Sequence, residues 1–205
     1  MKKSILIIAL VLFGATTMSA QEAWNFGVKG GVNFANFTGD DFSSDNSRTS
    51  FNVGLLAELP VADGFSIQPE VLYSAQGFDI YERDVDNFID VDDNVEYQVD
   101  YVTVPVLAKI YLVDGLSVQA GPSFNFKVNE EIDYQPTQDA GDIDTDVARD
   151  FEFGGVAGLE YKFNNGFFIQ GRYNYGFSKL YKDDSVFGDA DVHNSVWQAG
   201  IGFMF

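Results

Sequence analysis

Large apolar residues alternate with small or polar ones most regularly in the last twelve residues of the chain. One face of this stretch carries Trp197, Ala199, Ile201, Phe203 and Phe205, and the other face carries Gln198, Gly200 and Gly202. A period of two residues is that of a β-strand. Because the large face is followed by no polar closing residue, the pattern indicates a strand whose outer surface lies against lipid.

Seven further segments alternate in the same way, at 24–35, 51–60, 65–76, 101–112, 116–128, 151–163 and 167–177. Each has about the 9–11 residues that a tilted membrane-spanning strand needs. Short turns follow the second, fourth and sixth segments, and long loops at 37–48, 78–95, 129–150 and 181–192 follow the others. Such asymmetry predicts an all-β protein, an eight-stranded antiparallel up-and-down transmembrane barrel with both termini on the periplasmic side of the outer membrane.

Charged residues within the strands fall on the face opposite the apolar one. A lysine or arginine facing lipid at mid-membrane costs about 2–4 kcal/mol, so these side chains are expected inside. Eight strands enclose only enough room for side chains. We therefore expect a filled lumen with a salt-bridged network of Lys29, Glu58, Glu70, Lys109, Glu160 and Arg172, and an outer pair of Lys127 with Glu152. Gly200 and Gly202 are expected to leave room for Lys29 and Arg172. An ion or proton path is the alternative interpretation of these charges.

The N-terminus has the order of a secretory signal. Lys2 and Lys3 precede an apolar run at 5–13, and small residues follow up to Ala20. We predict a signal peptide over 1–20 and one barrel domain over 21–205. The chain has no cysteine, which excludes a lipoprotein anchor, disulfides and thiolate metal sites.

Acidic residues outnumber basic ones by 31 to 12, giving a formal net charge of −19. Most of them lie in the long loops, which argues against nucleic acid and other anionic partners. Divalent cations, a protein or a surface are the partners that such loops favour. Asp142, Asp144 and Asp146 alternate as in a calcium loop but lack its glycine and its bidentate glutamate. They form a possible cation-binding loop without a specific metal, and no cofactor is expected.

His193 and Ser195 lie two residues apart on one face of the last strand. Such a pair can act as base and nucleophile in a barrel enzyme that acts on lipid. No carboxylate that would orient the histidine is identifiable, so an interfacial role for His193 is favoured.

Three short motifs occur in order along the chain: Gln-Pro-Glu-Val-Leu-Tyr-Ser at 68–74, Val-Pro-Val-Leu-Ala-Lys at 104–109 and Gln-Ala-Gly-Pro at 119–122. With residues 27–37 they resemble the PorT-like family of porin-like outer-membrane β-barrels. The resemblance implies an outer-membrane barrel without catalytic residues. Pro69, Pro105 and Pro122 each remove a ladder donor, which predicts β-bulges at these positions.

Together these features predict a non-enzymatic, monomeric outer-membrane barrel whose acidic outer loops bind a partner, cations or a surface. Trp197, Phe203 and Phe205 are expected to form a C-terminal signal for the barrel-assembly machinery. The alternatives are a narrow cation-favouring channel and a lipid-modifying barrel enzyme.

Overall fold

The computed structural model describes residues 24–39, 48–81, 95–133, 143–144, 147–180 and 192–205. Its strands are β1 Asn25–Gly39, β2 Arg48–Ala62, β3 Phe65–Tyr81, β4 Val95–Val113, β5 Leu116–Asp133, β6 Ile143–Asp144, β7 Phe151–Lys162, β8 Phe167–Gly176 and β9 Val192–Met204. Among these residues no helix is long and apolar enough to cross a membrane. The predicted signal peptide, 1–20, lies outside the described residues.

Eight long antiparallel strands form a closed ring. Each long strand pairs with its neighbour along the chain, and β1 pairs with β9 to complete the circle. The two-residue β6 adds to the far end of β5. Closure leaves no unpaired sheet edge among the long strands, which is what a sheet needs in surroundings without water. The predicted eight-stranded barrel is confirmed.

The barrel wall is apolar outside and polar inside, which is the reverse of a water-soluble protein. On β9, Trp197, Ile201 and Phe203 are exposed on the outside, whereas Gln198 and Met204 are buried inside. Polar and charged side chains make up most of the buried interior. The outer surface is therefore apolar and the lumen is polar.

The three short turns and both described chain ends lie at one end of the barrel. Gly64, Gly115 and Gly166 take positive φ in these turns, as tight hairpins require. Near the same end Asn25 pairs with Glu58, close to the first turn. The predicted turn positions are confirmed, and they define a short-turn end and a long-loop end.

At the long-loop end the strands reach further than the alternation predicts. β3, β4 and β5 contain 17, 19 and 18 residues. Their outer parts were predicted to be loops because acidic residues interrupt the apolar pattern there. Ladder hydrogen bonds need only a neighbouring backbone, so pairing continues past the apolar band.

The bulges predicted at Pro69, Pro105 and Pro122 are wrong. Each proline keeps its pairing with one neighbouring strand and lacks the pairing with the other, and the register does not shift. A strand residue directs its N–H toward only one neighbour, so each proline interrupts only one ladder. Register shifts occur instead near strand ends and between Asp100 and Tyr101.

Candidate functional site: the lumen

A cluster around one lysine fills the lumen at the short-turn end. Lys109 Nζ lies 2.6 Å from Glu160 Oε1, 3.2 Å from Glu58 Oε2 and 3.1 Å from Gln68 Oε1. Lys162 reaches Glu58 from the mouth of the barrel at 3.4 Å. Lys109 is fully buried, so both its carboxylate partners are needed to offset its desolvation.

A second cluster is centred on Glu70. Its carboxylate accepts a two-pronged pair of hydrogen bonds from Arg172, at 2.7 and 2.8 Å, and one from Lys29 at 2.8 Å. Arg172 also donates to Gln119 at 2.9 Å. Gln68 donates to Glu70 at 2.7 Å and accepts from Lys109, so its amide joins the two clusters.

All six residues of the predicted network therefore lie buried together in the lumen. Sequence reasoning missed Gln68 and Gln119, which carry no charge. Their inward position in the alternation of β3 and β5 was the available signal.

A neutral layer lies further toward the long loops. Asn33 Oδ1 accepts from Asn52 Nδ2 at 2.6 Å and from Gln198 Nε2 at 2.9 Å, and Asn33 Nδ2 donates to Ser74 Oγ at 3.1 Å. These four side chains come from the adjacent strands β9, β1, β2 and β3, so the uncharged layer lies along half of the wall.

The predicted pair of Lys127 with Glu152 is wrong. The register sets Asn125 opposite Glu152, and Asn125 Nδ2 donates to Glu152 Oε1 at 3.1 Å. Lys127 Nζ instead lies 2.6 Å from Glu130 Oε2 and 3.5 Å from Asp150 Oδ1. The pair was predicted because the two residues lie equally far along the chain from their own turns. Neighbouring strands of a barrel are staggered, so equal distances from two turns do not place residues at the same depth in the lumen.

Beside Glu152 the lumen contains a small chamber with a volume of about 10 Å³, about the room that one water needs. The residues that line it include Thr103, Asn125, Glu152, Arg172, Asn174 and Asn194.

Glu130 organises the outer end of the lumen. Besides Lys127 it accepts from the Tyr97 hydroxyl at 2.6 Å and from the backbone amides of Val147 and Ala148 at 2.9 and 3.1 Å. Burial of the carboxyl raises its pKa, but the hydrogen bonds from Lys127, Tyr97 and the amides outweigh burial and hold the pKa below its ordinary value.

An apolar cluster packs beside Glu130 at this end of the lumen. Its members are Tyr97, Val99, Tyr101, Ala148, Leu180 and Val192. The Arg149 amide donates to Leu180 and the Leu180 amide donates to Val192, both at 2.8 Å, so the segment after β5 and the segment after β8 are tied to β9.

Glycines lie opposite large inward side chains, but the pairs differ from those expected. A Cβ on Gly158 would lie 2.7 Å from Arg172 Cγ. The side chains nearest to a Cβ built on Gly200 and on Gly202 are Gln170 and the Phe168 ring, whereas Lys29 and Arg172 were expected there. The small residue that accommodates a large one lies on the adjacent strand at the same height, which the sequence does not indicate.

His193 and Ser195 are not hydrogen-bonded to each other. His193 Nδ1 lies 2.9 Å from the Gly176 carbonyl oxygen, and its ring stacks on Tyr175. Ser195 Oγ lies 3.0 Å from the Tyr173 hydroxyl. The arrangement does not assemble a nucleophile and its base.

The remaining predicted residues fall at the two ends of the barrel. Asp142 and Asp146 lie outside the described residues, and Asp144 is described only as part of β6. Within the described ranges, no group of three or more His, Cys, Asp or Glu side chains is placed to hold a metal ion. Trp197, Phe203 and Phe205 all point outward from β9 and the chain end that follows it.

A closed barrel with an apolar outer wall and a polar lumen defines an integral membrane β-barrel protein. Residues 19–182 match the family model described as outer membrane protein beta-barrel domain. The chain belongs to this family of outer-membrane proteins. No curated protein sequence matched it.

Solved structures share the fold at low sequence identity. Neisserial surface protein A is 12% identical with a TM-score of 0.60, and the alignment covers 90% of this chain and 100% of that one. Ail, the attachment invasion locus protein of Yersinia pestis, is 15% identical with a TM-score of 0.53, covering 88% and 98%. Ail in complex with the heparin analogue sucrose octasulfate is 15% identical with a TM-score of 0.51, and the alignment covers 89% of this chain and 99% of that one. These likenesses establish the barrel fold alone.

Proposed function

We propose that this protein is a non-conducting, non-enzymatic outer-membrane barrel that acts as a rigid mount for acidic binding loops. The observation that carries the proposal is the filled lumen, in which two ionic clusters, a neutral amide layer and an outer apolar cluster follow one another. The short-turn end with both termini faces the periplasm, as in bacterial barrels of this kind. The protein is monomeric.

The narrow cation channel is the weaker alternative, because a conducted ion would have to pass Glu70 and Arg172. Their two-pronged ion pair is fully buried, and opening it would leave an unpaired charge in the lumen. The ion pair joins β3 to β8 across the barrel, so it also stabilises the wall beneath the loops.

Single-channel recording in planar bilayers tests this proposal. We expect no steady openings for the native barrel, and none for a control with Asp114→Asn in an exposed turn. Glu70→Gln, which breaks the central cluster, is expected to produce leak currents. Steady native openings whose size changes in Glu70→Gln or Arg172→Ala would overturn the filled-lumen proposal. Heat-dependent gel mobility confirms beforehand that each variant is folded.

The charge of the loops supports a cationic partner. The whole sequence has a formal net charge of −19, and most of its acidic residues lie in the long loops. Such a charge attracts basic surfaces and divalent cations and repels polyanions. Ail was solved with an anionic heparin analogue. For the present chain we propose the opposite preference, with a basic protein surface as the partner of the loops.

Binding of oligolysine and of heparin to the barrel in nanodiscs distinguishes the two preferences. We expect salt-sensitive binding of oligolysine only. Replacing the acidic residues of 82–94 by their amides, or Asp142, Asp144 and Asp146 by asparagine, should weaken it. Asp114→Asn at the short-turn end is the matched control. Heparin binding, or equal oligolysine binding by all variants, would contradict the proposal. A calcium titration of the same variants tests the possible cation-binding loop.

The separation of Ser195 from His193 supports a non-enzymatic role. Their polar atoms contact Tyr173 and Gly176 instead of each other. We expect no phospholipid hydrolysis by the purified barrel. Hydrolysis that His193→Ala abolished would establish the enzyme alternative. The signal peptide over 1–20 and the likeness to PorT-like barrels remain predictions.

A further inference from the structure

The side chains that line the chamber beside Glu152 include six polar atoms without a hydrogen-bond partner among the described residues. Four are oxygens and two are N–H donors: Glu152 Oε2, Asn125 Oδ1, Asn194 Oδ1, Thr103 Oγ1, Arg172 Nε and Asn174 Nδ2. Glu152 and Arg172 are only 2% and 1% exposed. Buried polar groups without a partner are costly, so a bound molecule with both hydrogen-bonding roles is expected here.

Contacts within the lumen determine which atoms of Glu152 and Arg172 are left for the chamber. Asn125 Nδ2 donates to Glu152 Oε1, so Glu152 Oε2 is left. Both terminal nitrogens of Arg172 donate to Glu70, and one of them also donates to Gln119. Only Arg172 Nε is therefore left as a donor on this side chain.

Gly176 keeps the space that the Glu152 carboxylate occupies. A Cβ at this position would lie 2.7 Å from Glu152 Oε1. On the neighbouring strand, Asn194 directs its Nδ2 to Gln76 Oε1, so its own oxygen is left for the chamber. The chamber is thus lined by side chains that neighbouring contacts hold in place.

The charges of the inner lumen balance only when Glu152 is counted. Its four bases are Lys29, Lys109, Lys162 and Arg172, and the carboxylates that contact them are Glu58, Glu70 and Glu160. Lys29 and Arg172 share the single carboxylate of Glu70, so their cluster has one excess positive charge. Glu152 supplies the matching negative charge, although none of the four bases contacts it directly.

We propose that the chamber binds one water molecule, which joins Glu152 to Arg172. The water donates to Glu152 Oε2 and accepts from Arg172 Nε, and its second hydrogen is shared among the remaining oxygens of the lining. A volume of about 10 Å³ suits one water, and buried waters make about three hydrogen bonds. A cation would meet the guanidinium and an anion would meet the carboxylate, whereas water suits both.

The water-mediated pair extends the ionic network of the lumen toward the long-loop end. It couples β7 to β8 beyond the reach of a direct ion pair and balances the excess charge around Glu70. The inference concerns the lumen alone, so it does not depend on what the acidic loops bind.

Water-selective NOE and ROE NMR spectra of the full barrel in detergent micelles test the proposal. We expect a cross-peak between water and the Arg172 Nε proton, with opposite signs in the two spectra, which distinguishes a long-lived bound water from proton exchange. Gln68 Nε2 is the control, because it donates to Glu70 and does not line the chamber, and it should show no such cross-peak. Thr103→Val removes the nearby hydroxyl and should keep the Arg172 cross-peak. Its absence in the native protein, or its loss in Thr103→Val, would overturn the proposal.

Urea unfolding in lipid vesicles measures the link between the two side chains. Glu152→Gln should raise the unfolding equilibrium constant about tenfold in the native background, because it removes a hydrogen bond to a charged group. The effect should be clearly smaller in Arg172→Lys, which keeps the positive charge but has no Nε. Equal effects in the two backgrounds would show that Glu152 acts through its charge alone, and would contradict the water link. If Arg172→Lys does not fold, the NMR measurement on the native barrel decides.

Discussion

At the scale of single residues, the alternation of the sequence indicates which way a side chain points but not what it meets. Lys109 and Glu160 are 51 residues apart in the chain and 2.6 Å apart in the lumen. Their inward direction was predictable because an outward charge is costly in lipid. Their contact depends on the stagger between strands and on side-chain reach, which the alternation does not give. For this reason the predicted partner of Lys127 was wrong.

Glu130 is expected to stabilise the outer end of the lumen in a pH-dependent way. Its pKa is lowered in the folded protein, so the stabilisation is complete above the ordinary value of 4.5 and is lost as the pH falls through the folded pKa. Glu130→Gln should lower the free energy of unfolding at pH 7 by about 1.5–3 kcal/mol, the contribution of a hydrogen bond to a charged group. Urea unfolding of the barrel in lipid vesicles measures this.

The neighbouring Glu131→Gln is the control, because Glu131 is only partly buried and a change there should stay within about 0.5 kcal/mol. The Glu130→Gln variant should also lose less stability than the native protein between pH 7 and pH 4. Equal losses in the two glutamine variants would contradict a specific role for Glu130.

At the scale of strands, turns and faces were predictable and register was not. Asp-Gly and Asn-Gly turns have a local cause, since glycine takes the positive φ that the hairpin needs. Pro105 pairs with β5 and interrupts only the ladder to β3. Whether a proline bends a strand depends on its two neighbours, and a single strand's sequence does not contain that information.

Gly158 is expected to be essential for the packing of β7 against β8. A Cβ there would lie 2.5 Å from the Gly171 carbonyl oxygen and 2.7 Å from Arg172 Cγ. Since the backbone cannot easily move, Gly158→Ala should lower the free energy of unfolding by about 1–3 kcal/mol, as overpacking does. The urea midpoint measures the loss.

Gly171→Ala is the matched control on the adjacent strand, because a Cβ there meets nothing within 4 Å. This change should be neutral or slightly stabilising, by reducing the freedom of the unfolded chain. A Gly158→Ala variant as stable as Gly171→Ala would show that the wall yields at this point.

At the scale of the whole molecule, the last strand closes the ring and also carries the aromatic chain end. The Phe205 amide donates to the Phe26 carbonyl at 2.8 Å, a backbone contact that any residue can make. Phe205 is 75% exposed, and its ring packs against the Phe203 ring on the outer surface. The ring therefore contributes little to closure, so the predicted role of Phe205 in assembly can be tested separately from stability.

Phe205→Ser is expected to separate assembly from stability. In cells, the fraction of heat-modifiable, folded barrel should fall several-fold if the terminal ring is read by the assembly machinery. In refolding from urea into detergent, the midpoint should match that of the control Phe26→Ser, which removes another outward ring from the adjacent strand at the same end. Both variants lose one lipid contact, so a difference that appears only in cells reports recognition of the chain end. Equal assembly of the two variants in cells would show that the cell requires closure of the barrel and not the terminal aromatic residue.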